Sequence, residues 1–120
     1  MREYLAITKA LSDPARVRAL LALRDGELCL CQIIELLELA PATVSRHLHL
    51  LAQAGLVERR KKGRWCYFRL AGRGAPREVR QALAWTLSCL QCHPAARKDA
   101  RRIARIRRVN LKELCACYKV

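Results

Sequence analysis

Residues 40–70 have the sequence APATVSRHLHLLAQAGLVERRKKGRWCYFRL, the stretch of the chain with the clearest pattern of secondary structure. Its apolar spacing predicts a helix that starts at Pro41 and runs to about Ala54. Gly55 ends that helix, because glycine readily adopts the left-handed conformation found after helix C-termini. Two β-rich runs then flank the turn residues Lys61-Lys62-Gly63 and predict a hairpin. These runs are 56–60 and 64–70. The stretch therefore predicts a helix followed by a two-stranded basic ribbon.

The predicted helix has one apolar and one polar face. At about 100° per residue, Val44, Leu48 and Leu51 fall on the side expected to pack into the core. The polar residues on the other side and its flank are Thr43, Ser45, Arg46 and His49. Exposed side chains of this kind hydrogen-bond to base edges and phosphates when a helix enters the major groove of DNA. His47 lies nearer the core boundary, and we expect it to brace the helix or contact a phosphate.

The predicted hairpin concentrates positive charge at its tip. Its cations are Arg59, Arg60, Lys61, Lys62 and Arg64. Such a tip can follow the phosphate backbone or enter the minor groove, which adds salt-dependent and largely sequence-independent affinity. The candidate DNA contacts of the hairpin are Arg59, Lys61, Lys62 and Arg64.

The composition of the whole chain agrees with a nucleic-acid partner. Its 120 residues include 24 Lys plus Arg against 10 Asp plus Glu, a formal net charge of +14. A surplus of this size favours a polyanion, with DNA ahead of an anionic membrane. No apolar run approaches the roughly 20 residues of a membrane span, and the N-terminus lacks a signal-peptide pattern. We therefore expect a cytoplasmic protein with no membrane partner and with reduced cysteines.

Helices are predicted on both sides of the central stretch. Apolar spacing places them over 2–11, from Pro14 to Asp25-Gly26, over about 29–39, from Val79 to Leu90, and over about 95–109. The apolar stripes of the first and fifth helices have few internal partners, so both ends are expected to supply dimerisation elements. The expected fold is mainly α, a winged helix–turn–helix with a two-stranded β-wing. The expected domains are 1–92, for DNA binding and dimerisation, and 93–120, a basic helix with a cysteine-containing tail.

Five segments of the chain resemble one known family. They are Leu11–Arg18, Gly26–Cys31, Thr43–Leu48, Ala54–Val57 and Gly63–Trp65. Together they are similar to the arsenic-repressor (ArsR/SmtB) family of bacterial metal-sensing repressors, densely over about residues 5 to 70. The resemblance implies a homodimer that represses a resistance operon and leaves its operator DNA when metal binds. One departure is Pro41-Ala42, where the family often has polar residues, so fewer side chains are available for base recognition.

Cys29 and Cys31 are candidate metal ligands, because soft thiolates suit arsenite, antimonite, cadmium, lead and zinc. Trivalent arsenic prefers about three sulfurs in a pyramid, whereas zinc prefers four ligands in a tetrahedron. On an ideal helix, residues i and i+2 diverge by about 200°, so one ion cannot easily bind both thiols. We therefore hypothesise that chelation unwinds or tilts the first turn of the third helix and moves the recognition helix.

The resemblance also implies a third cysteine three residues after Cys31, but that position is Ile34. Cys115 and Cys117, from the same or the partner subunit, are the best candidates for the missing sulfur, because they form a second CxC motif in the tail. The roles of the remaining cysteines stay open: Cys89 and Cys92 are the next candidate ligands, and Cys66 is expected to pack in the wing.

The leading prediction is a repressor that arsenite or antimonite releases from DNA, with no organic cofactor. The close alternative is the same fold sensing cadmium, lead or zinc, and a thiol-redox regulator is a further one. A distant rival is a haem protein, since residues 89–93 match C-x-x-C-H, but attachment of c-type haem requires export. An enzyme is not expected, because no nucleophile–base or carboxylate pair stands out.

Overall fold

The computed structural model describes residues 1–118 and is mainly helical. Its helices are α1 (Arg2–Ala10), α2 (Pro14–Ala22), α3 (Leu30–Leu37), α4 (Pro41–Gln53), α5 (Arg77–Leu90), α6 (Pro94–Ile106) and α7 (Leu111–Cys117), and a 3-10 turn spans Leu23–Asp25. Its strands are β1 (Leu28–Cys29), β2 (Val57–Lys62) and β3 (Trp65–Leu70). Among the described residues, no helix combines the length and the hydropathy that crossing a membrane requires.

The sheet contains the predicted two-stranded wing and one further short strand. The antiparallel sheet has the order β1-β3-β2, and its hairpin turns through Gly63-Arg64 between the paired residues Lys62 and Trp65. Gly63 has a φ of 62°, which suits the first central position of a two-residue turn. The two-stranded wing that the sequence predicts is formed by β2 and β3, and Leu28 and Cys29 pair with β3 to add a third strand to the sheet.

Helices α3 and α4 form the helix–turn–helix. Glu38 ends α3 in the left-handed conformation with a φ of 55°, and Pro41 starts α4 in its first turn, where the missing N–H costs no hydrogen bond. Val44, Leu48 and Leu51 of α4 are fully buried, as the helical spacing predicts. The opposite face of α4 is left free on the surface.

The C-terminal helices share the core of the front part. Ile103 and Ile106 of α6 and Leu114 of α7 are buried in the same apolar cluster as α1 to α4. Asp99 of α6 is buried and receives two hydrogen bonds from Arg18 of α2, at 2.7 and 3.1 Å. The described part of the predicted C-terminal segment, residues 93–118, therefore packs against residues 1–92.

The Arg18–Asp99 pair yields a test of this packing. Replacing Arg18 with methionine leaves the Asp99 carboxylate, whose side chain is 7% exposed, without its counter-charge. We expect a loss of about 3 kcal/mol in the free energy of unfolding, at the low end for a buried pair since Arg18 is itself 32% exposed. Urea unfolding followed by circular dichroism measures it. Arg97→Met is the control, because Arg97 is exposed and should change stability by less than about 0.5 kcal/mol. Equal losses in the two variants would contradict the docking of α6.

Candidate functional site

Three thiols come together beside the first turn of α3. The Sγ atoms of Cys29, Cys31 and Cys115 all lie within 4.8 Å of one another, and those of Cys29 and Cys115 are 3.9 Å apart. Cys29 and Cys31 are 1% and 3% exposed, and Cys115 is half-buried. Three sulfurs this close can bind a single soft ion after a small contraction. We call this group the thiol cluster.

Cys29 and Cys31 converge because Cys29 is not part of the helix. It is the N-cap of α3, with extended backbone angles (φ −74°, ψ 150°), and it also belongs to β1. The side chain of Gln32 accepts a hydrogen bond of 2.8 Å from the Cys29 backbone N–H and completes a capping box. The predicted divergence of about 200° is therefore wrong, since it assumed helical geometry at both residues. The hypothesis that chelation must unwind a regular first turn loses its basis.

Cys115 reaches the cluster because α7 packs against α3. Asn110 caps α7 by accepting hydrogen bonds from the backbone N–H groups of Lys112 and Glu113. At the other end, the Tyr118 hydroxyl donates to the Glu35 carboxylate, and this bond raises the pKa of Tyr118 to about 12. Both ends of α7 are thus fixed, and the third sulfur is held on the cluster side.

Cys117 lies outside the thiol cluster. It is exposed, and its thiol contacts the backbone oxygen of Glu113 at 3.6 Å. The structure therefore brings together three of the four candidate ligands. Cys89 and Cys92 are exposed on or just after α5, and Cys66 is half-buried in the wing.

Burial favours the protonated form of the Cys29 and Cys31 thiols. Removal from water raises the pKa of Cys29 and of Cys31, and the proximity of Cys115 raises both further. A raised thiol pKa means that the neutral form dominates near neutral pH. Any ion that binds these sulfurs must therefore displace thiol protons.

The polar face of α4 is free for a partner. Thr43, Ser45, Arg46 and His49 are all exposed there. His47 is half-buried, and its Nδ1 atom accepts a hydrogen bond of 3.0 Å from Arg16. That arginine also donates to the backbone oxygens of Lys9 and Ala10 at the end of α1, so His47 is tied to the interior of the fold.

The hairpin adds cations beside α4. A groove of about 420 Å³ separates α4 from the wing, and its polar lining includes Ser45, His49, Arg59, Lys61 and Arg64. Lys62 projects from the opposite face of β2, because successive residues of a strand alternate between its faces. Arg59 donates a hydrogen bond of 2.9 Å to the sulfur of Cys66, so this wing cysteine faces the same groove.

Three residues that support the thiol cluster or the α4 surface are not evident as functional candidates from the sequence. Glu27 and Tyr67 border the cluster through β1 and β3, and Arg16 supports His47. The signals that could have located them are long-range pairings, which a single sequence does not display.

Known proteins similar to this chain include bacterial transcriptional regulators. Residues 13–59 match the model described as bacterial regulatory protein, arsR family. The chain is 32% identical over 91 residues to the arsenical resistance operon repressor of Bacillus subtilis, covering 75% of this chain and 83% of that protein. The chain belongs to the arsR family. Its predicted family and its winged helix–turn–helix fold are thereby confirmed.

Other relatives of this arsR-family chain are named for resistance to different elements, arsenic in one case and cadmium in another. It is 46% identical over 74 residues to the arsenic resistance transcriptional regulator ArsR1 of Pseudomonas putida, covering 58% of each chain. It is 42% identical over 65 residues to a cadmium resistance regulatory protein CadC homolog of Staphylococcus aureus, covering 53% of this chain and 54% of that protein. This chain thus spans little more than half the length of these two relatives.

A solved structure supports the fold. The homodimeric winged helix–turn–helix DNA-binding domain Mb0332 of Mycobacterium bovis matches with a TM-score of 0.63 and 28% identity. The match covers 78% of this arsR-family chain and 82% of that domain.

Proposed function

We propose that this transcriptional regulator of the arsR family is a DNA-binding repressor that arsenite or antimonite releases from its operator. The observation that carries the proposal is the convergence of Cys29, Cys31 and Cys115 within 4.8 Å. Trivalent arsenic and antimony bind three sulfurs in a pyramid, and the cluster offers three. The relatives named as arsenic regulators support the same assignment. Cys117 is left outside the proposed ligand set, since its thiol is exposed.

The proton balance of binding favours arsenite over a divalent ion. Arsenous acid is a neutral triol, so three thiols replace its three hydroxyl groups and each thiol proton leaves in a water molecule. The product is a neutral tris-thiolate, which suits a buried site. A divalent ion would instead release about three protons and leave an anionic complex. The raised pKa of Cys29 and of Cys31 opposes this release of protons and therefore disfavours binding of a divalent ion.

This difference predicts opposite pH dependence for the two classes of inducer. Between about pH 6 and about pH 8, arsenite affinity should change by less than about threefold, whereas cadmium affinity should rise by at least about tenfold per pH unit. The sign follows because raising the pH favours the reaction that releases protons. Isothermal titration of the free protein with each inducer at several pH values measures both slopes. An arsenite affinity that rises as steeply as that of cadmium would contradict the neutral product.

A thiol-redox regulator is the second candidate, and the 3.9 Å separation of the Cys29 and Cys115 sulfurs favours it. Disulfide formation begins with a thiolate, however, and burial suppresses that form of Cys29. Peroxide should therefore release operator DNA far more slowly than arsenite does. Release by peroxide that dithiothreitol reverses, with no response to arsenite, would establish the redox function instead.

We propose duplex operator DNA and a second copy of the chain as partners. The polar face of α4 and the cations of the groove match the chemistry of DNA. Tyr4 and Leu5 of α1 and Trp85 of α5 are 67%, 52% and 65% exposed, and these two helices are in contact. An exposed apolar surface of this kind favours a self-complementary interface. The homodimeric relative from Mycobacterium bovis supports the same arrangement.

A further inference from the structure

A row of three residues crosses the sheet from the thiol cluster to the hairpin. Cys29 on β1 lies opposite Tyr67 on β3, and Tyr67 lies opposite Arg60 on β2. Residues paired across neighbouring strands share one face of a sheet. One metal ligand of the proposed site is therefore two strands away from a cation of the wing.

An ion pair bridges the same row. The guanidinium of Arg60 lies 4.8 Å from the centre of the Tyr67 ring and donates two hydrogen bonds to Glu27, at 2.6 and 3.1 Å. Glu27 immediately precedes β1, whereas Arg60 belongs to β2, and β3 lies between these strands. The bidentate pair thus connects the two outer strands over the ring of Tyr67. We call Glu27, Arg60 and Tyr67 the wing clamp.

Binding of one soft ion brings the three sulfurs of the thiol cluster closer together. The sulfurs lie up to 4.8 Å apart, whereas sulfurs bound at about 2.3 Å to one tetrahedral ion are separated by about 3.8 Å. The Cys29 and Cys115 sulfurs are already 3.9 Å apart, so the contraction brings this pair and the Cys31 sulfur together. Cys29 lies in a two-residue strand whose one neighbour is β3, so its displacement passes directly into the sheet.

We infer that the wing clamp transmits metalloid binding at Cys29 to the basic hairpin and thereby lowers operator affinity. The inference rests on the proposed function. The ladder between β1 and β3 carries the displacement into β3, and the Glu27–Arg60 pair links the segment before β1 directly to β2, which is already paired with β3. The two strands then tilt together, and the cations of the hairpin change position relative to α4. In this account Glu27 and Arg60 are positioning residues that bind neither the ion nor a base.

The test compares three variants. Glu27→Gln and Arg60→Gln each break the ion pair. Glu27→Gln keeps every cation of the hairpin, whereas Arg60→Gln removes one. Arg73→Gln is the matched control, because Arg73 is exposed, lies outside the hairpin, and its replacement removes the same charge as Arg60→Gln does. Fluorescence anisotropy gives the operator Kd of each protein with and without saturating arsenite. The ratio of the two Kd values measures the coupling, and differences in basal affinity cancel from it.

For the wild type we expect a ratio within the common range of about 5 to 150. Both clamp variants should show a ratio below about a third of the wild-type value, whereas Arg73→Gln should keep the wild-type ratio. Arsenite affinity of the free protein, measured separately, should be unchanged in all three variants. Clamp variants with the wild-type ratio would overturn the inference, as would clamp variants that lose arsenite affinity. A wild-type ratio of one would instead overturn the proposed function.

Discussion

Replacing Cys31 with serine is expected to abolish arsenite-induced release, while the operator Kd without arsenite stays within about twofold of the wild type. The Cys31 thiol is 3% exposed and contributes one of three sulfurs to the thiol cluster. A serine hydroxyl is a hard and weakly acidic ligand that a soft ion does not favour. Changes outside the direct ligands of a metal already cost 10–100-fold in affinity. We therefore expect arsenite affinity to fall by at least about 100-fold.

The measurement is an arsenite titration of the preformed protein–operator complex, followed by anisotropy of labelled DNA. Cys89→Ser is the control, because Cys89 is exposed and lies outside the thiol cluster. Urea unfolding of Cys31→Ser detects any loss of stability from burying a hydroxyl, which costs about 1–3 kcal/mol if unpaired. Release of Cys31→Ser at wild-type arsenite concentrations would contradict its role as a ligand.

Replacing Arg46 with alanine should weaken binding to operator DNA far more than binding to non-specific DNA. Arg46 is exposed on the polar face of α4, so its loss should not disturb the core. A base contact of this kind contributes about 1–3 kcal/mol, which corresponds to roughly 5- to 150-fold in operator Kd. A phosphate contact alone would weaken operator and unrelated DNA equally.

Two duplexes of equal length, the operator and a scrambled sequence, measure this difference at fixed salt. Arg77→Ala is the matched control, because it removes the same charge from an exposed position at the start of α5. Arg46→Ala should lower the ratio of specific to non-specific affinity, and Arg77→Ala should not. If both variants lower the two affinities in parallel, α4 does not read bases through Arg46.

The parts of the fold that could be predicted from the sequence depend on local spacing. Val44, Leu48 and Leu51 repeat with helical period, and they are buried as expected. The sequence does not predict strand β1, because a strand of two residues is too short to show an alternating pattern. Its partner Tyr67 is also distant in the chain, and a single sequence does not display such pairings.

The geometry of the thiols was predictable in part from signals that were available. Gln32 follows Cys29 by three residues, the spacing of a capping box, and this places Cys29 outside the helix. In the tail, Leu111, Leu114 and Cys115 recur at helical spacing, which indicates a buried helix face. On such a helix, residues 115 and 117 diverge by about 200°, so one of the two cysteines faces α3 and the other faces outward. The docking of α7 itself depends on tertiary contacts such as that between Tyr118 and Glu35.

The proposed ligand set of the inducer is Cys29, Cys31 and Cys115. X-ray absorption at the arsenic edge counts the sulfurs around bound arsenic directly, on the wild type and on Cys115→Ser and Cys117→Ser. We predict three sulfurs in the wild type and in Cys117→Ser, and two sulfurs with one lighter ligand in Cys115→Ser. Three sulfurs in Cys115→Ser, or the loss of one in Cys117→Ser, would contradict the account.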